Sequence, residues 1–412
     1  MFRSDRPVPF EADSLIGSES EYGAVREYYG NCKWSQEDIV IKSDYAKQFI
    51  EINQVILKGN VRIMQPGMKM ISPMVEYNDR IKKAKAFDSV EIFDGPSYVI
   101  ADQGIYNADT KIADFKNRVK VEDDSSIVFA DRIIYNRVDR SSRAYGNVSV
   151  LGKQTNAILT GDTIEHYPEE KYIISLGDPF LIQVDTLIED EKEIFDTLFI
   201  KSKKMEAFFD DDERYFFSGE LEIIRNSITA KADSGVFYKN RDYILLYGSP
   251  IAFYDSTQLY ADTIKVSIQK NKLESIEANI RAISVLKDTA NGDRKNQISG
   301  DNIIISFVNG KINELKAKGS TKSLYNFPGD DGGDGADIKD SESIRVVFTE
   351  GEADKIYWFN NINAQYIPEG ILSSDPSKYN LPDYKWTDQK PKKTEIKVRK
   401  TRWSFLHLVI IF

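Results

Sequence analysis

Aspartate is the residue type whose repetition in this sequence could support chemistry. The repeated aspartates each follow a small residue beside a strand-like segment: Asp102, Asp131, Asp162, Asp233 and Asp262. Carboxylates stacked along a β-solenoid could bind calcium or act in a polysaccharide lyase. An aspartate at a strand or turn junction can instead accept backbone N–H hydrogen bonds. A catalytic carboxylate is expected once or twice, not in every repeat, so the sequence favours the structural interpretation.

Other reactive groups are few, and none lies in a familiar catalytic pattern. The two histidines, His166 and His407, are not in a metal-ligand motif such as H-E-x-x-H. Cys32 is the single cysteine and cannot form an intrachain disulfide. We expect it to be an inward strand residue rather than a reactive thiol. Nucleotide-binding and hydrolase motifs are also missing from the sequence, so no enzyme activity, cofactor or metal is predicted.

Composition narrows the class of partner. The net charge of -10 argues against a nucleic-acid partner, which would need a basic face. Hydrophobic residues make up 41% of the chain, which is enough for a continuous core. Residues 1–7 contain no apolar run of the kind that a secretory signal needs, so no signal peptide is visible. The acidic, glycine-rich residues 328–335 do not fit the EF-hand pattern and are expected to form a solvated loop.

The segments that must position these residues form a repeat. Val61, Val90, Val119 and Val148 each lead a short apolar segment, and each lies 29 residues from the next. Within these segments apolar residues occupy positions i and i+2, which is the alternation of a strand with one buried face. Repetition in phase indicates one structural unit copied along the chain. The sequence therefore predicts an all-β fold, an elongated β-jelly-roll or solenoid-like array of antiparallel strand repeats of about 29 residues.

The same alternation predicts which side chains point inward and which face water. The apolar positions are predicted to point inward and to form one stripe: Val61, Ile63, Val90, Ile92, Val119, Val121, Val148, Val150, Phe180, Ile182, Leu221, Ile223, Ile251 and Phe253. Their polar neighbours, such as Arg62, Lys120 and Ser149, are predicted to face water. The pattern leaves open whether the stripe lines a lipid-sized groove or a dry core.

The repeats divide the chain into segments. Two segments are predicted to carry the array, residues 8–184 and residues 218–325, joined by an acidic irregular connection at residues 185–217. A Gly/Asp-rich loop is predicted at residues 326–342 and a final strand pair at residues 343–367. Residues 368–412 form a tail rich in proline and lysine that is expected to be disordered.

The order Ala-Asp, Tyr-Asn and Gly-Asn-Val resembles the OstA-like family, which includes the lipopolysaccharide-transport protein LptA and the N-terminal domain of LptD. The resemblance is carried by residues 10–15, 30–31, 59–63, 101–107, 130–136 and 146–150. It implies a β-jelly-roll whose interior shields acyl chains, so the inward stripe becomes the predicted lipid-binding surface. It also implies a non-enzymatic carrier or bridge that moves lipopolysaccharide through the periplasm to the outer membrane.

The resemblance further implies partners. They are lipopolysaccharide or a related lipid and other Lpt-type β-jelly-roll proteins, which would add through edge strands. End-to-end self-association would use the same edges. Two alternatives remain open: a structural or adhesive β-solenoid scaffold with a dry core, and a carbohydrate-active β-helix enzyme that uses the aspartates. The turn pattern predicts antiparallel strands, which argues against the β-helix enzyme.

Overall fold

The computed structural model describes residues 10–36, 38–189, 192–226, 228–269, 272–287, 294–327 and 334–392. Most of these residues lie in antiparallel β-strands, which confirms the predicted all-β class. The chain forms two compact units that divide between Gln183 and Val184, here called unit 1 and unit 2. The one α-helix of the described residues is α1 (Glu369–Leu372), and it is too short to span a membrane.

The strands of unit 1 run in chain order along the following segments: β1 (Phe10–Glu11), β2 (Ser14–Ser20), β3 (Gly23–Gln36), β4 (Ile39–Phe49), β5 (Gln54–Gln65), β6 (Met68–Asn78), β7 (Lys83–Phe87), β8 (Val90–Asp94), β9 (Ser97–Ala101), β10 (Gln103–Asn107), β11 (Ile112–Glu122), β12 (Ser126–Asn136), β13 (Ser142–Gly152), β14 (Ala157–Tyr167), β15 (Tyr172–Leu176) and the start of β16 (Phe180–Glu189). Short tight turns connect them, so each strand pairs with near neighbours in sequence.

The strands of unit 2 continue the series: β17 (Lys192–Lys201), β18 (Lys204–Phe208), β19 (Arg214–Arg225), β20 (Ile228–Tyr238), β21 (Tyr243–Tyr247), β22 (Ile251–Tyr254), β23 (Thr257–Tyr260), β24 (Thr263–Gln269), β25 (Lys272–Lys287), β26 (Lys295–Val308), β27 (Lys311–Phe327), β28 (Gly335–Thr349), β29 (Glu352–Phe359) and β30 (Asn363–Ile367). Among the described residues, a 3-10 turn at Lys239–Arg241 lies between β20 and β21, and another at Pro376–Tyr379 follows β30 and α1.

A two-residue bulge interrupts the long strands. In β5 the bulge is Gly59-Asn60, whose φ angles are 72° and 45°. Positive φ favours Gly and Asn, because a Cβ elsewhere crowds the backbone. Consecutive positive-φ pairs recur at Gly30-Asn31, Asp88-Ser89, Asn117-Arg118, Gly146-Asn147, Gly177-Asp178, Gly219-Glu220, Gly248-Ser249, Ile280-Arg281 and Gly319-Ser320. In β5 the residue after the pair, Val61, is fully buried.

The bulges divide each unit into two ladders of paired strands. In unit 1 the first ladder runs β1-β3-β4-β5-β6-β8-β9-β11-β12-β13-β14-β16. The second runs β2-β3-β4-β5-β6-β7-β10-β11-β12-β13-β14-β15. Leu57 of the second ladder and Val61 of the first belong to one core cluster, as do Phe115 and Val119. The inward faces of the two ladders therefore pack against each other.

Unit 2 repeats this plan with its own two ladders. The first runs β17-β19-β20-β22-β23-β25-β26-β27-β28-β30. The second runs β18-β19-β20-β21-β24-β25-β26-β27-β28-β29. Whether the array boundaries at residues 8–184 and 218–325 mark repeats of one family stays a prediction.

The acidic stretch at residues 185–217 is not an irregular connection. Its described part contains β17, β18 and the start of β19. The carboxylates are compatible with strands because cations neutralise them. Asp196 in β17 pairs with Arg225 in β19 at 2.6 Å, and Asp210 pairs with Arg214 at 2.6 Å.

Strands also extend into the predicted loop and tail. β27 reaches Phe327 and β28 begins at Gly335, so strand residues occupy both ends of residues 326–342. Residues 328–333 lie outside the described residues. The final pair predicted at residues 343–367 is the second half of β28 followed by two strands, β29 and β30.

The first part of the predicted disordered tail is folded. Residues 368–392, here called the C-terminal segment, place Leu372 and Leu381 in a core cluster of unit 2. Arg294 pairs with Glu369 in this segment at 2.8 Å. The buried apolar side chains and this ion pair between residues distant in sequence offset the conformational entropy lost when the segment becomes ordered. Residues 393–412 lie outside the described residues.

Candidate functional site

Cross-strand pairing in unit 1 produces one continuous row of apolar side chains. The row follows directly opposed residues through the first ladder, and it is here called the apolar row: Phe10, Trp34, Ile41, Ile63, Met70, Ile92, Val99, Val121, Val128, Val150, Leu159 and Leu181. Directly opposed residues have side chains on the same face of a sheet. At about 4.8 Å per strand, the row is roughly 50 Å long.

Burial changes along the apolar row. Trp34, Ile41 and Ile63 are buried. From Met70 to Leu181 every member is half-buried, although the members from Met70 to Leu159 pack against the core clusters of unit 1. Half-buried aliphatic side chains on an inward face leave apolar surface in contact with water. Such a surface can bind a hydrocarbon chain, and each methylene that it covers contributes about 0.8 kcal/mol.

The next row toward the bulge is closed. It includes the four lead residues Val61, Val90, Val119 and Val148, with exposed fractions of 0–1%. Their opposed partners are small: Val119 faces Ala130. These four residues are therefore buried on the face that the sequence predicted. They lie next to the more exposed row that contains Ile92, Val121 and Val150.

Charged residues lie on the opposite face of the strands that form the open part of the row. Lys120 and Lys153 approach the Glu122 carboxylate at 2.7 and 2.9 Å. These contacts, with Lys120 the stronger, lower the pKa of Glu122 to about 2. Arg62 and Lys120 lie on the face opposite the row, and Arg62 is exposed as predicted. Ser149 was expected to face water but is only 2% exposed, so this prediction was wrong.

Four of the predicted stripe residues lie on the opposite face. Val150 is opposed by Leu159, which is opposed by Leu181, so Phe180 and Ile182 point the other way. The bulge explains the error: its positive-φ residues are Gly177-Asp178, so the inward positions are 179 and 181. A shift of one residue reverses every side chain on a strand.

The same error affects β22. Ile223 lies in one cross-strand row with Ala230 and Ala252, so Ile251 and Phe253 belong to the other face. Here the bulge is Gly248-Ser249, which makes 250 and 252 the inward positions. Leu221 follows its bulge directly and is buried as predicted, and Ile223 is half-buried two residues later.

The sequence analysis missed the alternate members of the row. Met70, Val99 and Val128 come from strands between the predicted ones. They repeat with the same step of 29 residues, so the signal was present in the sequence. Leu159 and Leu181 depart from this step, and they could have been found by counting from the neighbouring bulge.

In unit 2 the corresponding inward row contains shorter and more polar side chains. It runs through Ile223, Ala230, Ala252, Leu259, Ser284, Ile298 and Ser323. From the second ladder, the Trp358 indole N–H donates to Ser323 Oγ at 2.9 Å. Tyr254 and Phe307 also join the ladders, with ring centroids 5.0 Å apart. Aromatic rings therefore occupy space between the ladders of unit 2.

The other face of this ladder is covered by the C-terminal segment. Thr387 N–H donates to Gln258 Oε1 at 3.2 Å, and Gln258 Nε2 donates to the Thr387 carbonyl at 2.7 Å. Leu381 N–H donates to Gln297 Oε1 at 2.9 Å. Both glutamines are buried. Their amides replace the water that would otherwise satisfy the segment's backbone.

The repeated aspartates contact the bulges. Asn147 Nδ2 donates to Asp131 Oδ2 at 2.8 Å, and a Cβ on Gly146 would lie 2.5 Å from that oxygen. Arg118 Nε donates to Asp102 Oδ1 at 2.8 Å. These carboxylates thus accept hydrogen bonds from side-chain N–H groups of the bulges.

The remaining aspartates have equivalent positions. Arg281 binds Asp262 at 2.6 Å. Asp162 lies against Gly177 and Asp233 against Gly248, where an added Cβ would meet the carboxylates at 2.5 and 2.4 Å. No group of three His, Cys, Asp or Glu side chains within the described ranges could hold a metal ion. The arrangement supports the structural interpretation of these aspartates.

The other candidate reactive groups, the cysteine and the described histidine, lie on different strands, β3 and β14. Cys32 follows the bulge of β3, is 2% exposed, and has a thiol whose pKa is raised by burial. His166 is exposed on β14, opposite Ser142 and Ile173. His407 lies outside the described residues. Cys32 thus occupies the inward strand position that the sequence predicted.

Comparisons with known proteins agree with the resemblance seen in the sequence. Residues 39–145 match the family model described as OstA-like protein. Over these residues the chain is similar to the OstA-like family. The OstA-like region includes the apolar row from Ile41 to Val128. Comparison with curated proteins found no match.

Among solved structures, one similar chain is LptH from Pseudomonas aeruginosa. It is described as the LptA-homologous periplasmic component of the lipopolysaccharide transport device. The likeness has 16% sequence identity and a TM-score of 0.25, and it covers 30% of this chain and 82% of that chain. The fold assignment rests on strand pairing rather than on this likeness.

Proposed function

We propose that unit 1 is a non-enzymatic carrier or bridge for lipopolysaccharide-type lipid, with acyl chains lying along the apolar row. The observation that carries this proposal is the half-buried section from Met70 to Leu181, where inward aliphatic side chains retain contact with water. The OstA-like match over residues 39–145 supports the class of cargo, because the family includes lipopolysaccharide-transport proteins.

The same proposal gives a location and partners. The protein would act in the periplasm and deliver lipid toward the outer membrane. Other Lpt-type proteins, or a second copy, would add to edge strands. β2 suits this role: its residues are exposed, and within the described part of the chain it pairs only with β3.

Unit 2 is the better candidate for a structural role. Four of the seven residues of its inward row are alanine or serine, and Trp358 and Tyr254 fill space between its ladders. We infer that unit 2 is a scaffold with a dry core, which is the alternative function that the sequence left open for the whole chain. On this proposal the carrier and scaffold functions belong to different units.

Photo-crosslinking can test the assignment. A photoreactive residue would be placed at Val121 in the apolar row, at Lys120 on the opposite face, and at Ile298 in unit 2. Lipid captured in cells would be identified by mass spectrometry. We expect capture at Val121 and little at Lys120 or Ile298. Equal capture at Val121 and Lys120 would contradict the lipid-carrier proposal, and equal capture at Ile298 would contradict the division between units.

A further inference from the structure

The β1 end of the apolar row is closed by an aromatic side chain. Phe10 lies between the two ladders: its ring centroid is 3.8 Å from that of Tyr28 and 4.4 Å from that of Trp34. Tyr28 belongs to the second ladder and Trp34 to the first. Beyond them, Ile41 and Ile63 are buried, whereas later members of the row are half-buried.

The strand that carries Phe10 is weakly attached. β1 has two residues, and its pairing to β3 consists of Phe10 opposite Trp34 and Glu11 opposite Lys33. The Lys33–Glu11 ion pair, at 3.2 Å, is exposed. Exposed ion pairs add little stability, and a two-residue strand contributes few hydrogen bonds. Just after β1, the Asp13 N–H donates to the Tyr29 and Gly30 carbonyls at 3.1 and 3.0 Å, which anchors the start of β2. Within β1 itself, the ring of Phe10 is the main attachment.

We propose that Phe10 is a removable plug that stops acyl chains at the β1 end of the apolar row. This inference rests on the proposed lipid-carrier function and deepens it. With the plug in place, lipid occupies the section from Met70 onward. When β1 detaches, the ladders lose the ring that bridges them, and the row extends toward Ile41.

The chain contains its own reporter for this opening. Cys32 is the single cysteine, and it belongs to the same core cluster as Tyr28 and Trp34, against which Phe10 packs. It is 2% exposed, so a thiol reagent reaches it only when this end opens. The labelling rate of Cys32 by a maleimide therefore measures access without added lipid.

The first experiment compares labelling rates in the full chain. Phe10→Ala should accelerate the labelling of Cys32 roughly tenfold, because both aromatic contacts of the ring are lost. Leu15→Ala is the surface control, since Leu15 is 58% exposed on β2. Ile133→Val is the stability control, since it weakens the core of unit 1 away from this end. Both controls should label at the wild-type rate.

An unchanged rate in Phe10→Ala, or an equal acceleration in Ile133→Val, would overturn the plug. Circular dichroism would establish that each variant is folded. If Phe10→Ala does not fold, Phe10→Leu decides, because it keeps apolar bulk but loses the ring. A Phe10→Leu rate above that of the wild type supports the plug, and an identical rate overturns it.

The second experiment separates the plug from the carrier function. Photoreactive residues at Ile41 and Val121 should capture lipid only at Val121 in the wild type and at both positions in Phe10→Ala. No capture at Val121 in either protein would refute the carrier function, while the Cys32 rates would still report the opening. Capture at Val121 but never at Ile41 would refute the plug alone.

Discussion

Units 1 and 2 use the same bulged antiparallel strands but treat their interiors differently. The inward row of unit 1 contains aliphatic side chains such as Val121 and Val128, which are half-buried. The inward row of unit 2 contains short residues such as Ala252 and Ser284, which are buried. The difference lies in side-chain size and in the residues placed between the ladders, not in strand order.

The comparison shows how one repeat can supply either a binding surface or a packed core. Short side chains on one ladder leave room for aromatic rings from the other, as Trp358 does beside Ser323. Interiors close where such rings fill the space. In the open section of unit 1 the inward positions retain contact with water, so apolar area stays available for a ligand.

The largest expected effect comes from removing a buried side chain of the C-terminal segment, which covers one face of unit 2. Leu372→Ala should lower the free energy of unfolding by about 2–4 kcal/mol, because a buried leucine leaves a cavity. Leu372 is 1% exposed, and its neighbour Ile371 in α1 is 54% exposed. Urea denaturation followed by tryptophan fluorescence would measure both Leu372→Ala and the matched control Ile371→Ala. Equal stabilities would mean that the C-terminal segment does not cover the unit 2 face in solution.

A smaller loss of stability is expected from substitutions of the bulge glycines, which both units contain. Gly146→Ala in unit 1 and Gly248→Ala in unit 2 should each cost about 1–3 kcal/mol, because a Cβ would meet an aspartate at a positive-φ residue. Gly67 is the control, since its φ is 77° but nothing lies within 4 Å of an added Cβ. Thermal unfolding of Gly146→Ala, Gly248→Ala and Gly67→Ala separates the cost of the contact between Cβ and aspartate from the cost of backbone strain. A cost at Gly146 no larger than at Gly67 would show that the Asp131 contact is unimportant.

The smallest effect compares charge pairs. Lys316 and then Arg345 bind the Glu314 carboxylate and hold its pKa below the usual value. Glu314→Gln should cost about 1 kcal/mol at pH 7, the typical net contribution of one intramolecular hydrogen bond. Since the folded pKa is lower than the unfolded pKa, this stabilisation is complete above pH 4.5 and is lost as the pH falls through the folded value.

Glu122 in unit 1 provides the contrast for that measurement. Its pKa is also lowered, to about 2, but it lies at the surface beside Lys120 and Lys153. Glu122→Gln should therefore change the unfolding midpoint less than Glu314→Gln, and added salt should remove the effect. Denaturation curves at pH 7 and pH 3 would test both variants. A pH-independent cost for Glu314→Gln would contradict the assignment.

Much of unit 1 was predictable because its repeats keep a constant step. Val61, Val90, Val119 and Val148 have the correct face, and Cys32 extends the series. Phe180 and Ile251 were each wrong by one residue: they lie three residues after Gly177 and Gly248, whereas the inward positions lie two and four residues after the bulge glycine. A strand has a period of two, so an error of one residue reverses the predicted face.

The sequence by itself determined the all-β class and the repeated unit, because these depend on alternation and on a constant step between repeats. Only the tertiary structure decided which rows are open. The exposure of Val121 depends on what the opposite ladder contributes, and the burial of Gln258 depends on Thr387, far along the chain. Contacts between residues distant in sequence leave no local pattern, so they could not be read before the chain was folded.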